Sequence, residues 1–241
     1  EGKYYRKGEG WIPFRIRRET ILRKKKDPVV AIFYENDHGV LEGDPNGDGY
    51  CLATRWAVSK FGGAGLARIA EMWRMTSVEQ GMDALGQLEG AFNFVLADRH
   101  GNIGYQMSGL FPKRREGRSG LVPLPGWDPE NDWQGFVRHE DLPRCLNPEE
   151  GYFGTANEDL NRYGRVNPIN MPMGPYRASR IDALLEQGDQ LTPSDMCRMH
   201  FDVYSLQAEW FMQILRPLLP DTPQGRTLAE WDLCYSADSS G

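Results

Sequence analysis

The sequence has no long apolar run, and its longest candidate, Pro28 to Tyr34, has only the length of a strand. Spanning a bilayer as a helix needs about 18 or more consecutive apolar residues, so the sequence predicts no membrane-spanning helix and no membrane partner. The opening residues, EGKYYRKGEG, lack the basic and apolar regions and the cleavage site of a secretory signal. No signal peptide is therefore visible in this sequence.

Cysteine and histidine are scarce and widely separated. The chain has four of each, namely Cys51, Cys145, Cys197 and Cys234, and His38, His100, His139 and His200. No Cys-x-x-Cys pair and no His-Glu-x-x-His occurs, which removes the usual sequence support for zinc sites and thioredoxin-type redox chemistry. Four cysteines allow disulfides without requiring them.

The short signatures of nucleophilic and phosphate chemistry are also missing: there is no P-loop, Ser-x-x-Lys or Gly-x-Ser-x-Gly. The loop from Asp44 to Gly49 begins like a calcium-binding EF-hand loop, with oxygen ligands at alternate positions. Its twelfth position is Arg55 instead of a glutamate, and a strand is predicted where a helix is needed. A hairpin turn is the favoured interpretation, with calcium binding as the alternative.

What the chain contains is ordinary for a folded protein: 40% apolar and 26% charged residues over 241 positions. Positive charge is concentrated in the first 26 residues, yet no nucleic-acid-binding motif accompanies it, so we expect no nucleic-acid partner. The alternation Phe14-Arg15-Ile16-Arg17 instead predicts a half-buried strand with one solvated face.

Strands are predicted mainly in the first half, and helices mainly in the last third. The predicted strands are Arg15 to Leu22, Val29 to Tyr34, Tyr50 to Ala57, Phe92 to Ala97 and Ile103 to Met107. From Phe111 to Pro175, proline, glycine and tryptophan without periodicity predict an ordered but irregular covering.

Helical periodicity appears in four places. Leu66, Ile69, Ala70 and Trp73 follow helical spacing, and Thr76 to Glu79 resembles a capping box before a helix with Val78, Met82 and Leu85 inward. A third helix is predicted from Arg177 to Gln187, ending at Gly188 as a left-handed C-cap. Thr192 and Pro193 predict the start of a fourth helix that runs to about Leu215.

One segment ends in an amide that can serve chemistry. Gly151 to Asn157 is an aromatic-rich strand whose last residue is an uncharged asparagine followed by a polar run. An asparagine at a strand end can donate its side-chain NH₂ to a developing oxyanion, although a turn role is the commoner outcome. From the residues alone, the turn remains the favoured interpretation.

An ordered series of blocks resembles the penicillin acylase family of N-terminal-nucleophile amidases. The blocks are Leu52 to Trp56, Asn93 to Tyr105, Pro125 to Trp127, Trp133 to Gly135, Asn147 to Tyr152, Thr155 to Asn157 and Tyr176 to Ile181. The resemblance runs from about Tyr5 to the end of the chain, and the order of the blocks is more specific than any single block. It implies an α+β fold, as part of an αββα sandwich.

The resemblance also implies a mechanism. Family enzymes cut themselves into two chains, and the serine that begins the second chain attacks a linear amide with its own α-amine as base. Asn157 matches the asparagine that helps to form the oxyanion hole, and Arg177 matches the arginine that supports the active-site polar network. The implied partners are the remainder of the precursor and a small-molecule amide substrate; the implied location is the periplasm or the outside of the cell.

Residue 1 is a glutamate, which cannot be this nucleophile. We therefore expect residues 1–241 to be one internal segment of the second chain, lacking both ends and inactive alone.

The resemblance implies chemistry that requires no cofactor. A structural calcium is compatible with the complete enzyme, but the family's calcium site takes most of its ligands from outside this segment, so no metal residue is assigned. The alternative is an inactive binding module on the same scaffold, with peptides contacting the aromatic segment 121–153.

Overall fold

A computed structural model describes residues 3–45, 49–60, 63–188 and 190–239. Within these ranges the chain forms nine β-strands and six α-helices. Eight of the strands precede residue 108, and four of the helices follow residue 175. The predicted α+β class, with strands mainly in the first half and helices mainly in the last third, is confirmed.

The strands form three sheets. They are β1 (Tyr4–Lys7), β2 (Gly10–Pro13), β3 (Arg15–Arg23), β4 (Lys26–Asn36), β5 (Gly39–Leu41), β6 (Ala53–Thr54), β7 (Asn93–Ala97), β8 (Ile103–Met107) and β9 (Arg144–Leu146). The first sheet pairs β1 with β2, the second has the order β3-β4-β5-β6, and the third has the order β7-β8-β9. Strands β8 and β9 are antiparallel, with Tyr105 opposite Cys145.

The helices are short. They are α1 (Ala64–Glu71), α2 (Val78–Gly86), α3 (Tyr176–Leu185), α4 (Pro193–His200), α5 (Leu206–Leu215) and α6 (Pro223–Ala229). Residues 111–175 hold only the three-residue strand β9 and single turns of 3₁₀ helix among the described elements. The predicted irregular conformation of this segment is confirmed.

The chain clusters into two compact units. The first comprises Glu1–Met75, Asp83–Phe92 and Met107–Leu142. Its buried apolar side chains include Leu41, Leu85 and Leu142. The β3–β4 hairpin belongs to this unit, and every residue of β3 is exposed. The half-buried strand predicted from the alternation around Ile16 is therefore wrong for the described chain, because no described element covers either face of β3.

The second unit comprises Thr76–Met82, Asn93–Gln106 and Pro143–Gly241. Val78 and Met82 are each 1% exposed, and a Cβ on Gly104 would lie 2.4 Å from Val78 Cγ1, so helix and strand pack closely here. A separate cluster of Ala208, Met212 and Leu233 fixes α5. Both predicted site residues lie in this unit.

The strand predicted over Tyr50 to Ala57 is wrong in length. The strand is Ala53–Thr54, because its neighbour β5 offers three residues, and Ala57–Lys60 turns into a 3₁₀ helix. One further backbone hydrogen bond, from the Glu42 N–H to the Leu52 carbonyl oxygen at 2.9 Å, precedes the strand. The other four predicted strands are confirmed within one or two residues, except that β4 extends further at both ends.

The first predicted helix is confirmed as α1, which ends at Glu71 before Trp73. Ile69 is 47% exposed and Trp73, in the 3₁₀ turn that follows, is 92% exposed; the side chain of Leu66 lies outside the described part of the chain. Helix α2 buries Val78, Met82 and Leu85 to 1% exposure each, as predicted.

The capping interaction of α2 is shifted by one residue from the prediction. Ser77 Oγ accepts from the Gln80 N–H at 3.3 Å, and Gln80 Oε1 accepts from the Thr76 N–H at 2.9 Å. A serine and a glutamine, each one residue further along the chain, therefore take the roles predicted for Thr76 and Glu79.

The last helical region differs from the prediction at two points. Helix α3 ends at Leu185, and Gly188 is not in the left-handed region, so that C-cap is wrong. Thr192 caps α4 as predicted, but the helix stops at His200, and Ser205 caps a separate α5. The break is stabilised because Tyr204 bridges to Cys234.

Candidate active site

Aromatic stacking holds the segment that leads to Asn157 against the third sheet. Tyr105 of β8 is fully buried, and its ring stacks on Phe153 with centroids 4.4 Å apart and an interplanar angle of 8°. The Tyr105 hydroxyl donates to Asn93 Oδ1 at 2.7 Å, so the buried phenol is satisfied. The pKa of Tyr105 is raised, first by burial and second by the negative charge of Glu158. The phenol therefore keeps its proton.

Helix α3 approaches this segment closely at Gly154. A Cβ on Gly154 would lie 2.9 Å from Ile181 Cγ2, so a larger residue here requires a shift of the helix or of the Ile181 side chain. Arg180 fixes the same helix from another side. Its Nε and Nη2 donate to Asp202 at 2.9 and 2.6 Å, and its guanidinium lies over the Tyr204 ring.

Arg177, in the first turn of α3, reaches the end of the Gly151 to Asn157 segment. Its Nη2 donates to Asn157 Oδ1 at 2.8 Å and to the Ala156 carbonyl oxygen at 2.6 Å. Asn157 and Arg177 are 20 residues apart in sequence, and the fold brings them into direct contact. The two residues predicted for the site therefore form one arrangement, while their catalytic roles remain predictions.

The contact determines which way the Asn157 amide faces. A guanidinium has only donors, so the oxygen of the amide must lie on the Arg177 side and the NH₂ on the other. Asn157 is exposed. Its Nδ2 hydrogens are thus directed away from Arg177, as a group that stabilises an external anion requires.

The backbone of Asn157 is also in an uncommon conformation. Its φ is 67°, in the left-handed region where asparagine is one of the few tolerated side chains. The Met173 N–H donates to the Asn157 carbonyl oxygen at 2.7 Å, which holds the turn. The turn is therefore confirmed, and the oxyanion role stays a prediction that this turn does not exclude.

Sequence reasoning missed Glu158, which contributes to the same turn. Its Oε2 accepts from the Ala156 N–H at 2.6 Å. Its charge also acts on Asp182 of α3, whose pKa is raised by burial first and then by Glu158 and Glu186. The only sequence signal for Glu158 was its place in the polar run after Asn157. A contact between a glutamate side chain and the backbone N–H two residues earlier has no recognisable sequence motif.

The residues that the structure describes contain no cluster of three or more His, Cys, Asp or Glu able to hold a metal ion. In the candidate calcium loop, Asp44 Oδ1 accepts from Lys3 Nζ at 2.8 Å, and Asn46, Gly47 and Asp48 lie outside the described residues. Calcium binding by this loop therefore stays a prediction. All four cysteines are free thiols.

Among the described residues, no helix has the length and hydropathy that crossing a membrane requires.

The side chains of His38 and His139 make hydrogen-bond contacts within the first unit. His38 Nε2 lies 2.6 Å from the Gly126 carbonyl oxygen, and His139 Nε2 lies 2.8 Å from Asp83 Oδ1.

Comparison with known proteins gives a consistent result. The family model described as penicillin amidase matches residues 1–241. The chain is 32% identical over 217 residues to the acyl-homoserine lactone acylase QuiP of Pseudomonas aeruginosa, covering 84% of this chain and 25% of that protein. It is 28% identical over 242 residues to the penicillin acylase 2 proenzyme of Pseudomonas sp. strain SE83, covering 96% of this chain and 31% of that protein.

Among solved structures, the thermostable penicillin G acylase of Alcaligenes faecalis superimposes with a TM-score of 0.78 at 18% identity. The match covers 96% of this chain and 43% of that chain, and at this identity it establishes the fold alone. The chain spans about a quarter of the length of the acyl-homoserine lactone acylases that it matches.

Proposed function

The chain belongs to the penicillin amidase family, and we propose that it is part of an acylase that hydrolyses a linear amide into a carboxylic acid and an amine. The relatives are named for acyl-homoserine lactones and penicillins. Both classes of compound carry an acyl group on an amine through such a bond.

The observation that carries the proposal is the contact between Arg177 and Asn157. The guanidinium binds Oδ1 and leaves the amide NH₂ as an exposed donor. A donor held in place before the reaction stabilises the oxyanion that develops when an amide carbonyl is attacked.

We place the nucleophile outside these 241 residues, at the serine that begins the second chain of a processed precursor. Its hydroxyl attacks the carbonyl carbon, and its α-amine takes the proton and passes it to the leaving amine. Water then attacks the acyl-enzyme, which releases the acid and restores the serine. In both steps the Asn157 NH₂ donates a hydrogen bond to the negatively charged oxygen. Arg177 holds the Asn157 amide in the orientation that this bond requires.

The remaining parts of the proposal follow from the same family. The remainder of the precursor is the protein partner and supplies the acyl pocket, and a small amide is the substrate. The chemistry needs no cofactor. Export to the periplasm or outside the cell is the proposed location.

The experiment compares the complete gene product with residues 1–241 alone. The complete protein is expected to process itself and to release amines from acyl-homoserine lactones or penicillins, detected by mass spectrometry, whereas the segment alone is expected to be inactive. A correctly processed protein that hydrolyses no amide in an acyl-chain series would contradict the proposal. It would then favour the inactive binding module.

A further inference from the structure

The peptide groups on either side of Asn157 are each held by a different partner. Arg177 donates to the Ala156 carbonyl oxygen at 2.6 Å, and the Met173 N–H donates to the Asn157 carbonyl oxygen at 2.7 Å. The preceding peptide group, between Thr155 and Ala156, carries the Ala156 N–H. Glu158 Oε2 accepts from it at 2.6 Å.

The Glu158 contact meets a requirement of burial. Ala156 is 6% exposed, so its N–H has little access to water and needs a partner within the protein. A carboxylate is a strong partner, because hydrogen bonds with one ionised member are shorter and stronger than neutral ones. Without it, the turn would keep a buried donor unsatisfied or would rearrange to expose that donor.

Rearrangement of this turn would move Asn157. The residue has a φ of 67°, a conformation that persists in a non-glycine residue only when its surroundings enforce it. Ala156 is the adjacent residue, so the restraint on its N–H acts directly on the orientation of the Asn157 amide. Glu158 itself is partly exposed, beside the charged groups of Asp182 and Arg162.

We infer that Glu158 is a positioning residue, whose carboxylate fixes the turn at Ala156 and thereby aims the Asn157 amide at the reacting carbonyl. This inference rests on the proposed function. The role requires a hydrogen-bond acceptor at the position of Oε2. The negative charge strengthens the bond, but a neutral carbonyl oxygen can also accept it. Glutamine at this position retains a carbonyl oxygen of the same reach, whereas alanine removes it.

The test uses the complete processed enzyme, with kcat and KM measured separately. E158A is expected to lower kcat about 10- to 100-fold with KM within about threefold, because a misdirected oxyanion donor affects mainly the transition state. E158Q is expected to stay within about threefold of the unsubstituted enzyme. Glu149→Ala, which removes an exposed carboxylate from the preceding turn, is the matched control.

A double variant separates positioning from an independent role. In an Asn157→Asp enzyme the donor is gone, so adding E158A is expected to change kcat by less than about threefold. Equal losses in E158A and E158Q, full activity in E158A, or losses that multiply in the double variant would each overturn the inference.

A second readout does not depend on turnover. Hydrogen–deuterium exchange of the peptide from Phe153 to Leu160 is expected to be slow in the unsubstituted protein and in E158Q, and faster in E158A. Equal exchange in all three would overturn the role of Glu158 in the turn. If the three proteins show the expected exchange rates but the unsubstituted enzyme hydrolyses no amide, the proposed function is overturned and the role of Glu158 in the turn is not.

Discussion

The guanidinium of Arg177 donates to Oδ1 of Asn157 at 2.8 Å, and this bond leaves the NH₂ of the amide as the group that can donate to a substrate. A guanidinium cannot accept, so the NH₂ is turned to the opposite side. The chemical proposal depends on that direction.

Asn157→Asp tests the donor with little change in shape. Aspartate keeps an acceptor for Arg177 but has no N–H, so it cannot donate to an oxyanion. In the complete enzyme we expect kcat to fall about 10²- to 10³-fold, the usual effect of removing one such donor. Steady-state kinetics with one amide substrate measures this, and Asn167→Asp introduces the same charge at an exposed position as a control. A change below threefold would contradict the assigned role.

Arg177→Met tests the direction of the amide. Methionine removes the donors to Asn157 Oδ1 and to the Ala156 carbonyl oxygen while keeping a long side chain. We expect kcat to fall about 10- to 100-fold, with a smaller effect on KM. Arg99→Met, in the exposed connection between β7 and β8, is the control. If KM rises and kcat stays constant, Arg177 binds substrate and does not orient Asn157.

Tyr105→Phe tests the packing beneath the site. The substitution leaves Asn93 Oδ1 without the phenol donor, and we expect the free energy of unfolding to fall by about 1 kcal/mol in urea titrations. Because the folded-state pKa of Tyr105 is raised, the unfolded chain loses this proton first, so stability falls as pH rises above about 10. Tyr105→Phe removes this component of the alkaline loss, whereas exposed Tyr235→Phe does not. Identical alkaline curves would contradict the prediction.

The carboxylate of Asp98 makes the free energy of unfolding depend on pH in the acid range. The Asn102 side chain, followed by the N–H groups of Asn102, His100 and Val78, lowers the pKa of Asp98 to about 2. The stabilisation is therefore complete above the unfolded pKa of about 3.9 and is lost as pH falls through about 2. Urea midpoints measured against pH are expected to fall less steeply in this window for Asp98→Asn. Parallel curves for both proteins would show that Asp98 is not the responsible group.

The elements that could be predicted from sequence are those set by local patterns. The inward face of α2 follows from the spacing of Val78, Met82 and Leu85, and the start of α4 follows from Thr192 before Pro193. The break after His200 was missed, because it depends on the distant bridge between Tyr204 and Cys234.

The site shows the same division. Family resemblance identified Asn157 and Arg177 as candidates, but their contact depends on a turn and a helix brought together by packing at Gly154. Glu158 escaped prediction because its contact with the Ala156 N–H requires the left-handed backbone at Asn157. Neither feature produces a periodic pattern in sequence.

The most direct test of the account is the intact mass and N-terminal sequence of the polypeptide that the native source produces. A chain longer than these residues that begins with serine, recovered together with a separate smaller chain, is the predicted result. A single 27.4 kDa chain that begins at Glu1 would contradict the account, because no N-terminal serine would then be present to attack the amide.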